Sequence, residues 1–139
     1  MKYIIDVNTI LDFLTKREGF YEQSKKVYML SVYGIIEGYL TANMITDIYY
    51  ILERYGVKNP KIELDKLLNI SRVLPVSGLD CINALKLEGN DFEDNLIVAI
   101  AQKHGVRNII TRNAQDFANT DLIVYSPEEI VEKYSKKDH

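Results

Sequence analysis

The segment Lys2-Tyr3-Ile4-Ile5-Asp6-Val7-Asn8 decides the fold class of this chain. Its first half is a short apolar run, which is typical of a buried strand, and a carboxylate follows directly behind that run. In open α/β sheets the carboxyl ends of the strands form the crevice in which ligands bind. We therefore expect Asp6 to face a functional cleft rather than the core.

Strands alternate with helices along the rest of the sequence. This pattern predicts a three-layer α/β/α fold around a mostly parallel sheet of about five strands. Asn43 is expected to cap the third helix, and Glu88-Gly89-Asn90 to form a turn. The predicted strands cover 2–6, 39–42, 72–76, 108–111 and 122–125, and the predicted helices cover 8–15, 21–37, 43–55, 61–71, 78–87, 92–104 and 127–134.

Composition indicates a soluble globular protein with one domain, 1–139, and a frayed polar tail over about 135–139. No apolar run approaches the roughly 20 residues that span a membrane, and the N-terminus does not resemble a signal peptide. The single cysteine, Cys81, fits a reducing compartment, so a cytoplasmic location is expected. The net charge of −3 argues against a general nucleic-acid coating protein but leaves a nuclease open.

Further acidic residues stand at the edges of predicted elements. Asp47 lies in the first turns of the third helix, Asp94 follows Glu93 at the start of the most apolar helix, and Asp116 lies behind the fourth strand. Carboxylates gathered in one cleft repel one another unless a cation neutralises them, and hard oxygen ligands suit Mg²⁺ or Mn²⁺. The pattern indicates a metal-dependent site for phosphate chemistry.

Several of these residues also have a simpler, structural interpretation. Asp47 could serve only the helix dipole, Asn8 could be a plain N-cap, and Asp91 could cap the helix that carries Asp94. Asp116 could be a solvated residue beside a buried Phe117.

Residues beside the acids could support the same chemistry. The amide of Asn8 could orient Asp6 or a water, and Arg112 supplies positive charge for phosphate. Asn113, at the tip of the fourth strand, could contribute an oxygen. The fourth strand should neighbour the first, which would bring both groups to one edge of the sheet.

Five short segments carry a family pattern in a fixed order. They are Ile4–Asn8, Leu14–Glu18, Ile45–Leu52, Asn90–Leu96 and Ile110–Phe117. Together they reach from residue 2 to about residue 130, and they resemble the PIN-domain family, the nuclease domain found in VapC-type toxins. Each segment is a weak signal, but five in order at consistent spacing are specific.

The resemblance implies a sheet with strand one at its centre and a cleft of three or four acids that bind Mg²⁺ or Mn²⁺. Asp6 matches the first acid of the family, Asp47 the second, where relatives often have Glu, and Asp94 the third. The fourth acid commonly follows the Thr-Arg pair directly, where this chain has Asn113, so we expect Asp116 to supply that charge. Four further residues, Asn8, Glu93, Arg112 and Arg17, are expected to support the acids or contact substrate, as is Asn113.

The resemblance also implies a function and partners. The chain is expected to be a metal-dependent ribonuclease that hydrolyses RNA, the toxin of a toxin–antitoxin pair, and a homodimer with no membrane association. An apolar, tyrosine-rich set of residues is the candidate interface: Tyr28, Tyr33, Tyr49, Tyr50 and Tyr55.

Two other classes of function stay open. One is a magnesium-dependent phosphatase or phosphotransfer protein, although such sites usually have a second Asp two residues after the first, and this chain has Asn8 there. The other is an inactive binding module with a PIN fold, for which Asn113 at the fourth acid position is the support.

Overall fold

The computed structural model describes residues 1–89 and 91–135. Within this part of the chain, five strands form one sheet in which every neighbouring pair is parallel. In their order across the sheet they are β3 (Ser71–Leu74), β2 (Glu37–Thr41), β1 (Lys2–Ile5), β4 (Asn108–Ile110) and β5 (Ile123–Tyr125). The first strand is central and adjoins the fourth, as predicted.

Helices connect the strands and pack in two groups. The helices are α1 (Val7–Leu14), α2 (Tyr21–Val32), α3 (Ala42–Arg54), α4 (Pro60–Ile70), α5 (Gly78–Lys86), α6 (Phe92–Lys103) and α7 (Pro127–Ser135). In one group α1 contacts α2 and α3, α3 contacts α4, and α2 contacts α7, whereas α5 and α6 pack on each other. The predicted α/β fold class is confirmed.

The order of the strands indicates where the sheet would bind a ligand, at the carboxyl ends of β1 and β4. The chain runs outward from β1 through β2 to β3 and then crosses back to β4 and β5. The reversal makes a topological switch point between β1 and β4, where open α/β sheets bind ligands. Asp6 continues β1 at this point, and its backbone N–H donates to the carbonyl of Ile110 at the end of β4 over 2.9 Å.

The core explains why β1 and α6 are the most apolar segments. Tyr3, Ile4 and Ile5 are buried, and so is every residue of α6 from Asn95 to Ala101. A parallel strand covered on both faces and a helix surrounded by other elements both need apolar residues on all sides. Phe117, predicted as a packing anchor, is fully buried.

Two local predictions were wrong. The second helix ends at Val32 rather than near Glu37, because Gly34 adopts a left-handed backbone with φ of 71° that interrupts the helix. The apolar Ile36 instead leads into β2. Asn43 does not cap α3, since Thr41 occupies the N-cap position and Asn43 already lies inside the helix.

Some expectations fall outside the described residues. Asn90 of the predicted turn and residues 136–139 of the predicted frayed tail are among these. Within the described part of the chain, no helix is both long enough and apolar enough to cross a membrane.

Candidate active site

An open cleft of about 1140 Å³ lies at the switch point of the sheet. All four acids predicted for the site line it, although they come from the end of β1, from α3, from α6 and from a 3-10 turn that covers Ala114–Phe117. The charged residues that line the cleft are Asp6, Asp12, Asp47, Asp91, Glu93, Asp94 and Asp116, together with Arg17, Arg54 and Arg112.

Asp6 is held in one orientation by hydrogen bonds to both carboxylate oxygens. Oδ1 accepts from the backbone N–H of Val7 over 2.8 Å, so Asp6 is the N-cap of α1. Oδ2 accepts from the Thr111 hydroxyl over 2.8 Å and from the Asn8 amide over 3.1 Å. Burial raises the pKa of Asp6, the bonds from Thr111 and Val7 oppose this rise, and the negative charge of Asp116 adds to it.

Asn8 and Thr111 tie the ends of the two central strands together. The Asn8 amide also donates to Thr111 Oγ1 over 3.2 Å, so it bridges Asp6 and Thr111. The plain N-cap interpretation of Asn8 was wrong, because Asp6 occupies that position. Thr111 was not recognised individually in the sequence. Its signal is its place directly after β4, which matches the place of Asp6 after β1.

Asp94 is surrounded by negative charge at the start of α6. Asp91 is the N-cap, and its Oδ1 accepts from the backbone N–H of Asp94 over 2.8 Å. Burial raises the pKa of Asp94 to about 7, and the charges of Asp91, Asp116 and Asp6 contribute to the rise. Asp94 therefore shares one electrostatic environment with Asp6 and Asp116.

Glu93, predicted to support the acids, lines the cleft beside Asp47. Its carboxyl forms a hydrogen bond with Asp47 of α3, which is the main reason why the pKa of Glu93 rises to about 7. Burial and the negative charges of Asp47, Asp91 and Asp94 add to this effect. The carboxyl of Glu93 therefore binds its proton more tightly than a free glutamate does, because a second carboxyl group lies beside it.

The 3-10 turn brings Asp116 into the cleft, whereas Asn113 is not among the residues that line it. Phe117 anchors the turn in the core, and Asp116 lines the cleft beside it. Asn113 is exposed, and its backbone N–H donates to Thr111 Oγ1 over 3.0 Å. The charge of Asp116 raises the pKa of both Asp6 and Asp94, so Asp116 acts electrostatically on both acids.

Two arginines that line the cleft, Arg17 and Arg112, contact the same aromatic ring, that of Phe20. The guanidinium of Arg112 lies over the ring of Phe20 at 4.6 Å, and that of Arg17 lies 5.3 Å from the same ring. Arg112 also forms an ion pair with Asp12, with 2.8 Å between Nε and Oδ2. Asp12 was not among the residues predicted for the site. In the sequence it is an acid between two apolar residues of the first helix, Leu11 and Phe13.

The sequence model of the PIN-domain family matches residues 2–115 of this chain. This protein belongs to the PIN-domain family. A relative of it, Ribonuclease VapC1 of Aquifex aeolicus (strain VF5), is 25% identical over 139 residues, and the match covers 96% of each chain.

Solved structures share the PIN fold at low sequence identity. A chain of VapBC2 from Rickettsia felis, bound to a DNA fragment from its promoter, matches with a TM-score of 0.67 and 17% identity, covering 91% of this chain and 98% of that one. VapC20 of Mycobacterium tuberculosis, a toxin that cleaves the sarcin-ricin loop, matches with a TM-score of 0.62 and 13% identity, covering 77% and 86%. These similarities show a common fold.

The cleft of this PIN domain suits a divalent metal ion, which PIN ribonucleases generally use. The acidic donors are oxygen ligands. Burial raises the pKa of Asp94 and a hydrogen bond with Asp47 raises that of Glu93, and the like charges around both groups add a repulsion that a cation would relieve. Across residues 1–89 and 91–135, no three Asp, Glu, His or Cys side chains form a ready-made metal cluster. Mg²⁺ keeps several waters and needs only one or two carboxylates, so the donor set fits an ion of this kind without such a cluster.

Proposed function

We propose that this protein is an endoribonuclease that depends on a divalent metal ion, Mg²⁺ or Mn²⁺, and acts as the toxin of a toxin–antitoxin pair. The observation that carries the proposal is the meeting of Asp6, Asp47, Asp94 and Asp116 in one cleft, where the pKa of Asp94 reaches about 7. Membership of the PIN family and a relative named as a ribonuclease support the same activity.

The acids of the cleft divide into two groups that would hold the ion. Asp6, Asp94 and Asp116 form the group around the switch point, and Asp47 with Glu93 forms the group beside α3. A divalent ion, when bound, supplies the acidity that activates water and the positive charge that stabilises a reacting phosphodiester. No nucleophilic side chain is needed for this chemistry.

The residues around Asp6 prepare it as a ligand. Thr111, Asn8 and the N–H of Val7 fix both of its oxygens, so little reorganisation is required when a cation arrives. Asp94 and Glu93 hold protons near neutral pH because their pKa values are raised to about 7. Binding of a cation must release these protons, so metal affinity should increase as the pH rises through this range.

Arginines would bind the substrate beside the acids. Arg17, Arg54 and Arg112 line the cleft, and a guanidinium can donate two parallel hydrogen bonds to a phosphate. Tyr50 and Tyr55, both exposed, line the cleft near Arg54 and offer aromatic faces to unpaired bases. We therefore propose RNA with unpaired nucleotides as the substrate, which implies a cytoplasmic location.

The two other classes of function fit the cleft less well. Among the described residues that line it, the basic ones are arginines, so the lysine expected in a phosphotransfer site is missing. Asn8, in the position of the second Asp of such sites, is used to hold Asp6. The inactive binding module relied on Asn113, and Asp116 offers a carboxylate in the same cleft.

We also propose that an antitoxin-like protein binds this chain and covers the cleft, since VapBC2 is a complex that was solved bound to promoter DNA. A homodimer is proposed through Tyr33, which is exposed and, unlike Tyr50 and Tyr55, does not line the cleft. Tyr28 is a weaker interface candidate than its sequence position suggested, because its ring stacks on Phe13 at 4.1 Å. Light scattering should give a dimer, and a 16.0 kDa species at high concentration would reject it.

The direct experiment is an RNA cleavage assay with the purified protein. Cleavage is expected with Mg²⁺ or Mn²⁺, and it should disappear with EDTA and with the Asp94→Asn variant. Full activity in EDTA would contradict the proposal. Release of phosphate from small phosphoesters, with the RNA left intact, would favour the phosphatase instead.

A further inference from the structure

We propose that Asp12 is a positioning residue that holds the guanidinium of Arg112 at the edge of the cleft, ready to bind a phosphate group of RNA. This inference rests on the proposed ribonuclease function and adds a residue that lies behind the substrate-binding surface.

Asp12 is a buried carboxylate whose charge is matched by Arg112. It lies on α1 and is only 3% exposed. Its Oδ2 accepts from Arg112 Nε over 2.8 Å, and its Oδ1 lies 3.4 Å from Arg112 Nη2. A buried carboxylate is strongly unfavourable without a partner, so the folded protein keeps this ion pair together.

The ion pair leaves a large part of the arginine free for a ligand. Asp12 takes two of the five N–H donors of the guanidinium, and three remain available. The Arg112 side chain is 24% exposed and lines the cleft, so these donors can reach a bound phosphate. The Phe20 ring packs against the guanidinium at 4.6 Å. This contact fixes the plane of the guanidinium, and the ion pair with Asp12 fixes its edge.

Asp12 also anchors the loop that carries the second arginine. Its backbone carbonyl accepts from the N–H of Arg17 over 2.9 Å, and the carbonyl of Arg17 accepts from the N–H of Phe20 over 3.1 Å. The Arg17 guanidinium reaches the same ring at 5.3 Å. One acidic residue therefore positions Arg112 through its side chain and organises the Arg17 segment through its backbone.

The acids of the cleft explain why Arg112 needs a fixed partner. Arg112 is always charged, and its charge already acts on Asp6. If Asp12 lost its charge, Arg112 would be drawn toward Asp6 and Asp116, where it would compete with a metal ion and turn away from the substrate. Asp12 thus keeps the phosphate-binding cation separate from the metal-binding anions.

Asp80 provides a matched control for this interpretation. It is another buried carboxylate, 2% exposed, and it forms an ion pair with Lys103 over 3.6 Å outside the cleft. Replacing either acid with asparagine removes a buried charge from an ion pair between two elements. When only folded molecules are compared, the Asp12 replacement should alter RNA affinity and the Asp80 replacement should not.

The test is RNA affinity by fluorescence anisotropy with Mg²⁺, in an Asp94→Asn background that prevents cleavage. Asp12→Asn and Arg112→Lys should each weaken binding about tenfold, the loss expected when one charge-assisted contact is misplaced. Arg112→Lys keeps the charge and the fold but removes the planar fork, so it covers the case in which Asp12→Asn does not fold. Asp80→Asn should stay within about twofold of the background protein.

A double variant tests whether Asp12 acts on RNA binding through Arg112 or independently of it. Asp12→Asn should add little to Arg112→Gln if Asp12 acts through Arg112, and the two effects should multiply if it does not. Titration of Mn²⁺ without RNA gives a second measurement. Asp12→Asn should weaken Mn²⁺ binding in a protein that keeps Asp94, and adding Arg112→Gln should restore it.

The inference would be overturned if Asp12→Asn binds RNA like Asp80→Asn, if Arg112→Lys binds like the background protein, or if the double variant shows multiplied losses. A failure of the proposed function looks different. In that case the unmodified protein would not cleave RNA with any divalent ion, whatever the Asp12 variants do.

Discussion

Helices α5 and α6 have similar sequences at their N-terminal ends, but the acids there lie in different electrostatic environments. Each has an acid in its first turn and a side-chain cap, Ser77 for α5 and Asp91 for α6. The backbone N–H of Ser77 donates to Asp80, and together with the Ser77 hydroxyl and Lys103 it lowers the pKa of Asp80 despite burial. At α6 the neighbours of Asp94 are other carboxylates, and with burial they raise its pKa to about 7.

The comparison distinguishes an acid that stabilises the fold from an acid reserved for a ligand. Asp80 has its hydrogen bonds and its counter-charge within the protein. Asp94 faces the like charges of Asp6 and Asp116, which a bound cation would neutralise. Acidic residues with raised pKa values in a cleft are good indicators of function for this reason.

The largest expected effect is on catalysis. Asp94→Asn or Asp6→Asn should lower the rate of RNA cleavage by about a hundredfold or more, since each removes a charge that acts directly at the reacting group. Asp80→Asn should leave the rate per folded molecule unchanged. Equal losses from Asp80→Asn and Asp94→Asn would remove the distinction between the two helix ends.

A smaller effect is expected at the fourth acid. Asp116→Ala should weaken Mn²⁺ binding and cleavage by about tenfold, whereas Asn113→Ala should have little effect, since an uncharged side chain is the weaker ligand. Calorimetry and the cleavage assay measure both. Wild-type behaviour of Asp116→Ala would leave a site of Asp6, Asp47 and Asp94 only.

The third prediction concerns the pH dependence of stability without metal. The raised pKa of Asp94 means that the unfolded chain releases its proton first as the pH increases, from about pH 4. The free energy of unfolding therefore falls up to about pH 7 and then levels off. Asp94→Asn should raise the Tm of the metal-free protein by about 3 °C near pH 8 and change it little near pH 4.

Asp80 should show the opposite sign in the same melting experiment. Its pKa is lowered, so its stabilisation is present above the unfolded value of about 3.9 and is lost as the pH falls through the folded value. Asp80→Asn should therefore lower the Tm by about 3 °C near pH 8, with a smaller loss in acid. Changes of the same sign for both variants would contradict the comparison.

The smallest expected effect concerns the cap of α6. Asp91→Asn keeps an oxygen that accepts from the N–H of Asp94 but removes a negative charge beside Glu93 and Asp94. The pKa values of both carboxyl groups should fall by about half a unit, because a nearby like charge is lost. An NMR titration of the side-chain carboxyl carbons measures this. Unchanged values would show that the charge of Asp91 does not contribute to the raised pKa of either group.

The sequence contained enough information for the fold and for most of the charged residues that line the cleft. β1 was recognisable because a strand buried on both faces must be apolar throughout, and α6 was recognisable because a surrounded helix has apolar residues on all sides. The end of α2 was missed because Ile35 and Ile36 continue the helical spacing, and only the φ of 71° at Gly34 shows where the chain turns.

By itself, the sequence determined which residues could carry the chemistry, since an acid after a strand or at a helix start is a local feature. The tertiary structure decided which of them meet. The pairing of Glu93 with Asp47, the contact of Thr111 with Asp6 and the ion pair of Asp12 with Arg112 join residues 46, 105 and 100 positions apart. Sequence patterns describe neighbours along the chain, whereas these contacts depend on the order of strands in the sheet, which brings β1 beside β4.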